Sequence, residues 1–284
     1  MEFTPLSPRY DVVFKKIFDV ERTPVLADFL QSVLDLPKDE YENISFVDPH
    51  LIRRHKGDKL GILDLRVTTK SGTSLNIELQ VAPQPSIWKR IAYYNARLQA
   101  DQIVSGDDYD TMNRAISILI SYPVLIAENE EFHHAFSMYA KKTQVSYPDS
   151  PEIHVLEVHK ARSADNSPLA NWLRFFAAET SEEFEMTAQT SPAIAEAWGV
   201  IQYLSADEES RRLAEYEEMA RRDEADRQKG AYSAGRQEGR QEGRQEEKLI
   251  VTRYALLKKM SHADIAELTG LPLEEVKKLA AGIS

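Results

Sequence analysis

Apolar residues first recur at helical spacing. Between residues 10 and 36 they fall at Val13, Ile17, Leu26, Phe29, Leu30, Val33 and Leu34, which predicts helix. Pro24 is placed to open a second helix at its first position, and Pro37 to end it. The pattern then shortens to strands. Residues 44–52 form a weak candidate broken by Pro49, and residues 62–68 and 74–81 are clearer. Lys70-Ser71-Gly72 between them suits a hairpin loop whose third residue is left-handed. Residues 86–104 return to helix, with Ile87, Ile91, Tyr94 and Leu98 on one face and Gly106 beyond. The apolar, β-branched run at 115–124 reads as a buried strand. Residues 132–139 and 153–158 are further strands, and 169–176 and 192–204 are helices.

The composition changes near Ala206. Residues 206–229 are mostly Glu, Arg, Asp and Ala, and a repeat follows in which Gly235, Gly239 and Gly243 each precede Arg-Gln-Glu. Residues 248–260 form an amphipathic helix, and 262–268 and 273–281 two short helices about Gly270. The expected layout is a mixed α/β core over 1–205, a charged helical arm over 206–247, and a small helix-turn-helix-like tail over 248–284. Glycine at spacing four leaves a smooth stripe, which suits an arm that joins two copies in a homodimer. A flexible linker accounts for the repeat equally well.

Composition and charge restrict the function. The 284 residues hold no cysteine, which excludes disulfides and thiolate metal sites. No apolar run approaches the ~20 residues of a bilayer span. Residues 1–11 lack a basic start followed by an apolar stretch, so a cytoplasmic location without membrane contact is expected. The net charge of -11 argues against nucleic acid as a partner of the whole surface. A local basic segment offsets this: Arg53, Arg54, Lys56, Lys59 and Arg66 outnumber Asp48, Asp58 and Asp64.

The chemistry lies in the two clearer strands. Period two puts Asn76, Glu78 and Gln80 on one face of the second, and Ile62, Asp64, Arg66 and Thr68 on one face of the first. A three-residue loop pairs Thr69 with Thr73 and, counted back, sets Asp64 opposite Glu78. A five-residue loop gives the same pairing, whereas a two-residue loop sets Asp64 against Leu79. Carboxylates directly across a ladder repel each other. A hard cation such as Mg²⁺ gives them a reason to be there, since it takes oxygen ligands including one or two carboxylates. An ordinary wet sheet face is the competing account. Gln80 is aimed at the same space. Asp11 is a secondary candidate, although an acid in the first turn of a helix is also favoured by the dipole. Arg90 and Gln99 suit either DNA or a solvated helix face. His133 and His134 sit in a strand, point to opposite sides and cannot chelate one metal together.

The order of helix, strand with Asp64, glycine turn, Asn76-Ile77-Glu78-Leu79-Gln80, then helix resembles the PD-(D/E)XK nuclease core. Tyr10 to Phe18, Tyr93-Tyr94, Ser105-Gly106-Asp107-Asp108-Tyr109 and Ile265-Ala266-Glu267-Leu268-Thr269-Gly270-Leu271 are similar to the recombination-promoting, transposase-like Rpn family within that superfamily. The resemblance implies an α/β, restriction-endonuclease-like mixed sheet flanked by helices, and Mg²⁺-dependent DNA cleavage with Mn²⁺ as a substitute. It implies a catalytic group of Asp64, Glu78, Gln80 and Asp11, with the metal on Asp64 and Glu78, and a role in recombination or defence against foreign DNA. Two positions depart from the general superfamily pattern: Gln80 stands where Lys is usual, and Leu63 where Pro is. A catalytically inactive regulator built on the same fold, binding DNA or protein, is the alternative. A transposase reading rests on the family's naming.

Overall fold

The computed structural model describes residues 3–49, 64–163 and 165–282. Its contacts divide the chain into two compact units, Met1–Glu218 and Met219–Ser284. In the first unit helices α1 (Asp11–Ile17) and α2 (Thr23–Val33) lead into strands β1 (Ser45–Phe46), β2 (Leu65–Thr68) and β3 (Ser74–Gln80). Helix α3 (Ile87–Ala100) follows, then β4 (Ala115–Ser121), β5 (His133–Phe136) and β6 (Glu152–Glu157). Helices α4 (Pro168–Ala177), α5 (Ser181–Ala188), α6 (Pro192–Ala206) and α7 (Glu208–Leu257) come next.

The described strands form one mixed sheet in the order β1-β2-β3-β4-β6-β5. β3, β4 and β6 are parallel, and the remaining neighbours are antiparallel. A parallel pair needs a crossover, and α3 supplies the one from β3 to β4. One sheet face carries Leu65, Val67, Leu75, Ile77, Ile116, Ile118, Ile120 and Leu156 into the main core, where Phe14, Phe29, Trp172 and Phe176 meet them. On the other face α3 sets Ile87 and Ile91 on Leu119 and Val155. Parallel strands are covered on both faces, so every residue of β4 is buried, and this is why its sequence runs apolar without alternation.

The expected mixed sheet flanked by helices is therefore the fold found. The second helix expected to open at Pro24 is α2, with Pro24 in its first turn. Helix α5 escaped the sequence reading. Arm and amphipathic helix are one continuous α7, which carries Gly235, Gly239 and Gly243 through its length. The first unit takes in the opening turns of α7 because they are anchored to it. Glu217 Oε2 accepts from Asp11 N at 2.8 Å, and Ala214 is buried. Ile62, Leu63, His50, His55 and the basic residues Arg53, Arg54, Lys56 and Lys59 lie outside the described residues.

In the second unit the end of α7 packs with α8 (His262–Thr269) and α9 (Leu273–Ala281) around Ala255, Ile265, Leu271 and Val276. Ser261 caps α8, and Gly270, left-handed at φ 66°, ends it. No helix among the described residues is long and apolar enough to cross a membrane.

Candidate active site

The β2–β3 hairpin sets the register on which the site depends. Thr69 N donates to Thr73 O at 3.0 Å across the three-residue loop. Gly72 takes φ 94°, and a Cβ there would lie 2.7 Å from Asn113 Nδ2, so the position needs glycine. Glu40 ties the loop down, accepting from Thr69 Oγ1 at 2.6 Å and Ser71 Oγ at 2.7 Å. These hydrogen bonds hold the Glu40 carboxyl below its ordinary range. The ladder runs from Thr68↔Ser74 to Leu65↔Ile77. The next step of that register sets Asp64 across from Glu78.

The two carboxylates meet there. Asp64 Oδ2 accepts from Leu79 N at 2.7 Å, and Glu78 Oε1 lies 3.4 Å from Asp64 N. Glu78 is 1% exposed, Asn76 0% and Gln80 8%, because α3 covers this face. The account of a wet sheet face therefore does not hold for β3. Burial pushes the Glu78 carboxyl up to about 7, with Asp64's negative charge adding to the effect and Arg90 opposing it. Burial also raises Asp64, helped by the charge of Asp11 and opposed by the Leu79 N–H, Lys15 and Arg90.

Arg90 is the partner that the sequence reading left on a solvated face or on DNA. It stands one turn into α3, donates from Nη2 to Glu78 Oε2 at 2.8 Å and from Nη1 to Gln84 Oε1 at 2.9 Å, and lies over the Tyr94 ring. Its signal in the sequence is the Arg-x-x-x-Tyr spacing, which puts cation and ring on one helix face. Gln80 lies beside Glu78 on the same face, but its amide nitrogen donates to the Ala82 carbonyl. Asp11 pairs with Lys15 Nζ at 2.8 Å at the start of α1. It lines a cleft of about 750 Å³ together with Lys15, Asp64, Arg66, Tyr216 and Glu217. Glu217, from the first turns of α7, accepts from Asp11 N at 2.8 Å and Val12 N at 3.2 Å, and so holds α1 in place. Nothing local in the sequence announces that contact.

The donor set at Asp64 and Glu78 is all oxygen. Among the described residues no group of three or more His, Cys, Asp or Glu is arranged to hold a metal. Two carboxylates match what Mg²⁺ takes from a protein, its other positions going to water and phosphate oxygens. Two facing acids whose carboxyls burial raises are a pair that a divalent cation would relieve. His133 does not join any such set: its Nε2 lies 2.9 Å from His154 Nδ1, while His134 turns to Glu131 O.

A family model described as PD-(D/E)XK nuclease family transposase matches residues 8–231. No curated protein and no solved structure matches the chain significantly.

Proposed function

Because the chain belongs to the PD-(D/E)XK nuclease family of transposases, we propose that it is a divalent-metal-dependent DNA endonuclease, with Asp64 and Glu78 holding the metal. The observation that carries this reading is the facing carboxylate pair, Glu78 buried and Asp64 half-buried beside it at the wall of an open cleft. When bound there, Mg²⁺ (or Mn²⁺ in its place) would polarise the scissile phosphate and lower the pKa of the attacking water.

The chain's own residues prepare that chemistry. The Leu79 N–H fixes one oxygen of Asp64 and leaves the other for the metal. Arg90 holds Glu78 by one oxygen and keeps a cation beside it. Gln80 has its amide nitrogen occupied by Ala82, so its oxygen is the atom left to orient a water. Asp11 adds a carboxylate to the cleft that Asp64 lines, and Lys15 an ammonium for the phosphate. An inactive regulator would have no use for this arrangement, since Asp64 and Glu78 oppose folding unless something binds them. Cutting foreign DNA, or DNA in recombination, is the role this activity would serve.

The test is plasmid DNA incubated with the purified full chain in Mg²⁺, Mn²⁺, Ca²⁺ or EDTA. Nicking or cutting is expected with Mg²⁺ and Mn²⁺ and none with EDTA. Equal degradation in EDTA would remove the metal from the reading.

A further inference from the structure

A second cavity opens on the same sheet edge, where no acid faces it. Val81, Tyr122 and Val158 directly follow β3, β4 and β6, so all three mark the carboxyl ends of the parallel strands. Tyr122 N donates to Gln80 O at 3.0 Å, which joins this edge to the candidate active site. In open α/β sheets the carboxyl edge is where ligands sit. The cavity here is about 530 Å³, and its polar lining comes from Arg9, Tyr122, His159 and Arg162. The remaining lining residues are valine, proline and alanine, so no carboxylate faces it. That is notable in a chain with 46 acidic residues against 35 Lys and Arg.

The cations are set for an anion. Arg9 lies over the Tyr122 ring at 4.7 Å, and its Nε is buried with no hydrogen-bond partner. Its ion pair to Glu179 at 3.2 Å is with a carboxylate 62% exposed, and exposed pairs are weak. Arg162 is exposed. It is presented from a pinned turn: Lys160, two residues earlier, pairs with buried Glu157 at 2.6 Å and donates to Ile126 O, and Ala161 is buried. An exposed guanidinium on a rigid base, as Arg162 is, matches the fork geometry of a phosphate. The cavity's polar lining is mainly cationic with no carboxylate, which suits the anionic sugar–phosphate backbone.

We propose that this cavity is a phosphate subsite, in which Arg9, His159 and Arg162 hold a backbone phosphate of the DNA strand beside the one cut at Asp64 and Glu78. The proposal rests on the nuclease reading and adds the path of the strand across the carboxyl edge of the sheet.

The experiment is DNA affinity by fluorescence anisotropy, with the full chain, duplex oligonucleotides of two unrelated sequences, and Ca²⁺ in place of Mg²⁺. Arg162→Glu should weaken binding about tenfold at ~0.1 M salt, equally for both sequences, and flatten the dependence of log affinity on log salt by about one unit. Lys142→Glu makes the same charge change beyond β5, at the opposite edge of the sheet, and should leave affinity unchanged. Equal weakening by the two variants, or wild-type binding by Arg162→Glu, would overturn the subsite while leaving the nuclease reading in place. Absence of DNA binding by the unaltered chain would sink both.

Discussion

Arginine, glutamine and glutamate occur together in two regions of this molecule. In α7 they repeat as Arg236-Gln237-Glu238, Arg240-Gln241-Glu242 and Arg244-Gln245-Glu246, all exposed. Around β3 they are Glu78, Gln80 and Arg90, with Glu78 and Gln80 buried and Arg90 half-buried. In the arm water solvates each charge, and neighbouring pairs contribute little. At β3 the protein has removed that water. Glu78 must then be neutralised by a proton, by Arg90 or by a metal, and it competes with Asp64 for all three. The same side chains are a solvated helix surface in one place and a candidate catalytic group in the other. Burial and proximity, not residue type, make the difference.

The largest expected effect tests that difference directly. Asp64→Asn and Glu78→Gln keep size and shape, and each should lower metal-dependent plasmid cleavage by at least about a hundredfold. Glu242→Gln removes the same charge from the arm and should leave cleavage unchanged. A well-folded Asp64→Asn protein with full activity would end the site assignment.

Much of this site was legible in the sequence because it rests on local rules. Period two fixed the faces of β2 and β3, and the Lys70-Ser71-Gly72 loop fixed the register that sets Asp64 by Glu78. What was not legible depends on distant parts of the chain. Period two shows that Glu78 and Gln80 share a face, but not that α3 would cover it. Arg90 therefore looked solvated. Glu217 reaches Asp11 across more than 200 residues, and no spacing signals that. Helix α5 is a different case, since its capping box, Thr180 with Glu183, stood in the sequence. It was missed because the helix buries little beyond Phe184 and Thr187.

A smaller effect follows from the raised carboxyl. The folded metal-free protein keeps a proton on Glu78 up to about pH 7, whereas an unfolded chain loses it near 4.5. Between those values the folded state binds more protons, so stability should fall as pH rises through that window. Asp64, shifted the same way, adds to the slope. Metal displaces that proton, so Mg²⁺ affinity should climb over the same window and level off above about pH 7. Thermal melting in EDTA from pH 4.5 to 8 is the measurement, with Glu78→Gln beside it. The variant should lose most of the slope; parallel curves for the two proteins would remove Glu78 as the titrating group.

The smallest expected effect separates a metal ligand from a structural carboxylate. Asp64→Asn removes one member of a like-charge pair but retains an oxygen that can accept from Leu79 N. In EDTA near pH 8, above the raised value of Glu78, the variant should be no less stable. The gain from relieving the repulsion is on the order of 0.2–1 kcal/mol. In Mg²⁺ the order should reverse, because only the unaltered protein gains stability from binding the ion. The matching substitution in the arm, Glu242→Gln, has no buried charge to relieve and no metal to lose, so its melting temperature should be the same in both conditions. A clear loss of stability for Asp64→Asn in EDTA would mean that its hydrogen bond to the β3 backbone outweighs the repulsion. Asp64 would then be a strut of the hairpin, and the contrast between the arm and the site would rest on Glu78 alone.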